Sequence, residues 1–212
     1  VTAAATVVAT RHQLQGIAES FVAGPQYRAT GTIRLAVRQD GFSATTLAIA
    51  VHGTTLTWPG GSTALAGPVS AVAQASGLDI GPPAGVYESV AELSPDTILH
   101  LDADAADAIY RSLYAGGFAI NAVLPEGHPV LWPEHFDVAA TADEVNYGVS
   151  AGDDFHELPY AYVGPWDFAT SPRTGPLWNA PFGAVHSLDV TADVDTLAAD
   201  VTAFFRRVEE KL

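Results

Sequence analysis

Leu14, Ile17, Ala18, Phe21 and Val22 recur at the spacing of one helical face. Thr10 followed by Gln13 supplies a capping-box start, and Gly24-Pro25 supplies a stop, which predicts a first helix between them. The period then changes from 3.6 to 2. In "TIRLAV", Ile33, Leu35 and Val37 alternate with Arg34 and Arg38, the pattern of a half-buried strand. Asp40-Gly41 marks a turn, and "TLAIAVHG" and "TTLTW" continue the alternation, so an antiparallel meander is expected. "GPVSAVAQASG" predicts a helix with Pro68 at its start and Gly77 past its end. "DTILHL" predicts a short strand. Ala106, Ile109, Tyr110 and Leu113 predict an amphipathic helix from about Asp102 to Tyr114, stopped at Gly116-Gly117, with "FAINAV" as a strand beyond it.

From Pro125 the texture changes. Eight of the 14 prolines lie between 125 and 181, and ten of the 20 aromatic residues lie between Trp132 and Phe182. Proline at that density forbids long helices and favours short strands and ordered loops. The chain closes with Leu197, Val201, Phe204, Phe205, Val208 and Leu212 in the stripe of a packed helix. Helices and strands come in clusters rather than in strict alternation. This predicts an α+β fold with a mainly antiparallel sheet and packed amphipathic helices at both ends. The 212 residues are expected to form a single domain, with 1–124 and 125–212 as subregions.

Composition narrows the function. The chain carries 24 acidic residues against 9 Lys and Arg, a formal charge of −15, and protonating all 7 His would still leave −8. Nucleic acid and anionic membrane both call for a basic patch, so neither is an expected partner. There is no cysteine, which removes disulfides, thiolate catalysis and cysteinyl metal sites together. No run of apolar residues reaches the length of a membrane span. The start lacks the basic region of a signal peptide, so a cytoplasmic location is expected, although the chain begins at Val1 without Met and secretion stays compatible.

Candidate chemistry concentrates in residues 130–183. Gly148-Val149-Ser150-Ala151-Gly152 matches a nucleophile elbow, and Ser150, Asp167 and His186 follow in the order of a hydrolase triad. An elbow needs a helix after the serine, and Pro159 leaves little room for one. A glycine-rich loop is the plainer expectation. If "EHFDV" is a strand, His135 and Asp137 share a face, and Asp154 and His156 repeat the pairing; two such strands side by side would suit a divalent metal. Against this stands the commoner use of Asp to orient a hydrogen-bonded His. Trp132, Tyr147, Tyr160, Tyr162, Trp166 and Trp178 would wall a pocket, with His135, Asp137, Asn146, His156 and Asn179 as polar contacts; a sheet core is the competing reading. "DADAAD" resembles a calcium loop but lacks the following Gly and Glu. Arg28 would serve an anion or a surface ion pair.

Trp132-Pro133-Glu134-His135-Phe136-Asp137, Asn146-Tyr147-Gly148, Pro159-Tyr160-Ala161-Tyr162-Val163-Gly164-Pro165-Trp166 and Trp178-Asn179-Ala180-Pro181-Phe182-Gly183 together resemble a group of uncharacterised bacterial, mainly actinobacterial, proteins. These carry WPxHFD followed by PYxYxxPW, and the likeness is clearest over 125–212. The resemblance implies no activity. The leading expectation is therefore binding of a small uncharged or cationic molecule in an aromatic, His/Asp-containing pocket of the C-terminal half. Its rivals are a metal-dependent enzyme using His135, Asp137, Asp154 and His156, a serine hydrolase using Ser150, and a structural or partner-binding protein.

Overall fold

The computed structural model describes residues 3–212; the expectation drawn from Val1 lies outside the described residues. The chain is α+β, with an antiparallel sheet of ten strands and a separate two-stranded pair. It divides into two compact units: the chain up to Tyr110 together with Leu131–Phe136, and Arg111–Val130 together with Asp137–Leu212. Among the described residues no helix is long and apolar enough to cross a membrane.

The first unit opens with α1 (Ala3–Ile17), which continues through a π-helical turn (Ala18–Ala23) into α2 (Gly24–Thr30). The predicted boundaries at Thr10 and Gly24-Pro25 are both overrun. Thr10 is buried within α1, and Gln13 is engaged elsewhere, its Oε1 accepting the His100 amide at 2.8 Å. Pro25 fails to stop the helix because the π turn accommodates its missing N–H. The Gly24 amide donates to the Glu19 carbonyl, a five-residue step. The Ser20 carbonyl, which Pro25 cannot serve, instead accepts the Gly81 amide at 2.9 Å. Only glycine fits at 24, since a Cβ there would overlap the Gly81 carbonyl oxygen. The helix ends at Gly31, which takes the left-handed conformation at φ 76°.

The meander follows as expected: β1 (Leu35–Arg38), β2 (Gly41–Ala44), β3 (Ala50–His52), β4 (Thr55–Trp58) and β5 (Gly61–Ala64), each antiparallel to the next. The pair β6 (Ala66–Pro68) and β7 (Ile98–His100) flanks α3 (Val69–Ser76), which runs from Pro68 to a left-handed Gly77 as its sequence predicts. Between α3 and β7 the chain from Leu78 to Asp96 has no helix or strand of its own. Leu14, Ile17, Phe21, Phe42, Val51, Leu56, Tyr110 and Phe136 form the core of this unit. Phe42 meets the rings of Tyr110 and Phe136 edge-on at 6.2 and 5.7 Å.

Helix α4 spans Ala103–Val123, so Gly116-Gly117 is no stop and "FAINAV" is helical. Gly116 serves close packing instead: a Cβ there would stand 2.7 Å from the Val149 side chain and 2.8 Å from that of Val138. Beyond it, β8 (Val130–Trp132) pairs with β1 at Leu131 opposite Leu35. The second unit carries β9 (Asp137–Ala142), β10 (Val145–Ser150), β11 (Tyr160–Pro165) and β12 (Ala184–Ser187), an antiparallel ladder in that order. Its last element is α5 (Val194–Glu209), capped by the Asp193 carboxylate on the Thr196 amide. Leu197, Val201, Phe204, Phe205 and Val208 are buried as the stripe requires, whereas Leu212 lies past the helix end and is exposed.

Candidate functional site

Register decides which side chains of the second unit meet. Residues directly opposite one another share a face, so Asp137, Ser150, Tyr160 and Ser187 line up across β9 to β12, with Ala139, Gly148, Tyr162 and Val185 as the next row. The other face holds Val138, Val149, Ala161 and Val163, all buried, with Tyr147 against Phe205 at 5.5 Å. Tyr147 is thus a core residue rather than a pocket wall, and burial raises its pKa.

Two tyrosines of this face are tied to carboxylates. Tyr162 donates its hydroxyl to Asp137 Oδ2, and Tyr160 donates to Asp153 Oδ2 at 2.6 Å. Burial and the adjacent carboxylates push both phenols above their ordinary range, so both keep their protons and act as donors. Tyr160 and Tyr162 share a face as expected, with ring centroids 6.2 Å apart. Gly148 makes room for Tyr162, because a Cβ there would lie 2.6 Å from its hydroxyl.

Other expected constellations separate. Residues 133–136 form a turn, not a strand; Phe136 takes φ 49° to reach the core, and Gln15 Nε2 holds the Glu134 carbonyl at 3.0 Å. His135 is consequently exposed while Asp137 is buried. Asp154 and His156 sit in the loop 151–159, with Asp154 exposed. Among the described residues no three His, Asp or Glu side chains are grouped to hold a metal ion, and His135, Asp137, Asp154 and His156 do not fit one. The hydrolase triad also dissolves. Ser150 is buried and accepts the Gly152 amide at 3.1 Å; Asp167 binds Arg173 at 2.8 Å; His186 binds Asp200 at 2.8 Å and stacks on Phe204. The chain after Ser150 is a loop leading to β11, so the helix that an elbow requires is missing.

The tryptophans are dispersed too. Trp132 carries the Arg34 guanidinium 5.9 Å from its ring centroid, and Trp166, 63% exposed, donates Nε1 to Asn146 Oδ1 at 3.0 Å. Trp178 packs on Phe168 at 5.6 Å and under Arg173. Asn179 acts as a backbone mimic, bonding the carbonyl and amide of Val185 at 3.0 and 2.8 Å.

Trp178 and Asn179 do line an open groove of about 560 Å³, shared with Pro176, Leu177, Val185, His186, Phe204, Arg207 and Lys211. Arg207 also lies over the Phe204 ring at 5.8 Å. This is an aromatic trough with a cationic rim, built by the loop 174–179, the edge strand β12 and the last turns of α5. In the sequence Arg206-Arg207 is the one pair of adjacent cations and Lys211 the one lysine, but nothing local joins them to Trp178.

In the first unit the π turn carries a further titratable group that the sequence did not reveal. Glu19 is fully buried; Ser89 donates to its Oε2, and Oε1 has no hydrogen-bond partner among the described residues. Burial, reinforced by Glu134 and Glu92 and opposed by the Ser89 bond, raises its pKa to about 7. Arg28, noticed for its scarcity, holds Asp79 at 2.8 Å and donates to the carbonyl of Gly81. No family model, no curated protein and no solved structure matches this chain.

Proposed function

We propose that this protein binds a small aromatic or apolar carboxylic acid in the groove beside α5. The observation that carries the reading is the sign of the rim: Arg207 and Lys211 are two of only nine Lys and Arg side chains on a protein of net charge −15. Elsewhere the prevailing field repels an anion, so a local cationic cluster over an aromatic wall selects one. The volume falls within the roughly 300–1,000 Å³ of small-molecule sites. Basic residues in the last turn of α5 also offset its dipole. That role does not call for the neighbouring aromatic trough. This replaces an uncharged or cationic ligand among Tyr160, Tyr162 and Asp137, because those hydroxyls are committed to carboxylates.

The test compares phenylacetate, phenylacetamide and 2-phenylethylamine by thermal denaturation and tryptophan fluorescence. Phenylacetate is expected to raise the midpoint and perturb the fluorescence by mass action, and the R207A/K211A double variant to lose most of the response. Equal responses to all three, or a preference for the amine, would overturn the reading.

A further inference from the structure

We propose that Ser187 and His156 form a nucleophile and general-base pair able to accept an acyl group, separate from the groove and independent of what binds there. Ser187 is the exposed last residue of β12, opposite Tyr160 in register. Its Oγ lies 2.9 Å from His156 Nε2, and His156 Nδ1 lies 2.8 Å from the Leu158 carbonyl oxygen. A carbonyl only accepts, so Nδ1 carries a ring proton, and in the neutral ring that tautomer turns the Nε2 lone pair toward the serine hydroxyl. Nucleophile, base and a third group that orients the base are thereby in hydrogen-bond sequence, with the Leu158 carbonyl as the positioning group.

The imidazole is held by elements that do not depend on Ser187. Asp153 Oδ1 accepts the amides of Phe155 and His156 at 2.8 and 3.0 Å, and the Asp153 amide donates to the His156 carbonyl at 2.9 Å. The ring also packs against Tyr160 at 5.5 Å, whose hydroxyl returns to Asp153. Since the loop is already pinned, an exposed Ser–His bond adds little to its stability. Beside the pair is an apolar shelf: Phe155 is 46% exposed and meets the rings of Phe182 and Tyr160 at 5.1 and 6.0 Å. An exposed phenylalanine among polar groups suits the apolar or aromatic acyl part of an ester.

In the reaction, Ser187 Oγ attacks the ester carbonyl carbon while Nε2 takes the hydroxyl proton. The tetrahedral adduct collapses, the C–O bond to the leaving group breaks, and Nε2 returns the proton to give an alcohol and acyl-Ser187. Water, deprotonated by Nε2, then attacks the acyl carbon, releasing the carboxylic acid and restoring the serine hydroxyl. No oxidant, reductant or metal enters the balance.

The full chain is incubated with a fluorophosphonate probe and read by intact mass and peptide mapping. One adduct is expected on Ser187, absent in Ser187→Ala, and formed at least about 100-fold more slowly in His156→Ala. Imidazole added to His156→Ala should restore part of the rate, a response that a merely structural histidine would not give. Hydrolysis of 4-nitrophenyl butyrate should follow the same order. Ser187→Ala changes one small exposed side chain, so its folding is checked by thermal midpoint. No adduct on the wild-type protein, an adduct on Ser150 or another residue, or equal labelling of His156→Ala would each overturn the assignment.

Discussion

Glu19 in the first unit and Asp137 in the second are both carboxylates almost without exposure, at 0% and 5%, yet their surroundings differ in kind. Asp137 faces a phenol that is itself buried and proton-bearing, a donor suited to a carboxylate. Glu19 accepts a serine hydroxyl on one oxygen, has no hydrogen-bond partner on the other among the described residues, and has two further acids nearby. Asp137 joins the hydrogen-bonded framework of its strands, whereas Glu19, set among other acids, changes charge near neutrality. The first unit therefore carries a pH dependence centred in a π turn.

The largest effect that would break this contrast belongs to Glu19→Gln. A carboxyl whose folded pKa stands at about 7 against an ordinary 4.5 binds more protons folded than unfolded between those values. Its contribution to stability is complete below pH 4.5 and is lost as pH rises to 7, by about 3 kcal/mol. Urea denaturation at pH 5 and pH 8 should show wild type losing about that much relative to Glu19→Gln. Parallel curves would mean that Glu19 is not the group responsible. Next in size, Tyr162→Phe strips Asp137 of its phenol and should cost about 1–3 kcal/mol at neutral pH. A smaller loss would show that Asp137 has adequate partners without it. Smallest is Ser89→Ala. Because the Ser89 bond lowers the Glu19 pKa, its removal should cost about 1 kcal/mol more at pH 8, where Glu19 is charged, than at pH 5. An equal cost at both would make Ser89 a packing residue.

Where local pattern and tertiary demand agree, the elements were legible. The meander, α3 between Pro68 and Gly77, and the stripe of α5 all follow from periodicity and capping. The misplaced helix stops fall at glycine and proline, whose effect depends on what lies beside them. Gly116 reads as a helix stop but lets α4 approach Val138 and Val149, and Gly24-Pro25 reads as a break, but Gly24 lies against the Gly81 carbonyl while the Gly81 amide serves the Ser20 carbonyl that Pro25 leaves open. The site residues divide the same way. Tyr160 and Tyr162 share a face because alternation in a strand is local. His135 and Asp137 do not share one, because burying Phe136 in the core turns the chain at φ 49° between them.

The sequence by itself determined the α+β class, the antiparallel meander, the acidic surface and the concentration of aromatic and polar residues after Pro125, since these depend on composition and on spacings of two to four residues. Only the tertiary structure decided which groups meet: Ser187 with His156 across 31 residues, Glu19 with Ser89 across 70, and Trp178 beside Phe204 and Arg207 in one groove. Strand register and loop docking set those encounters, and they arise from burial summed over the whole core rather than from any signal within reach of one residue's neighbours.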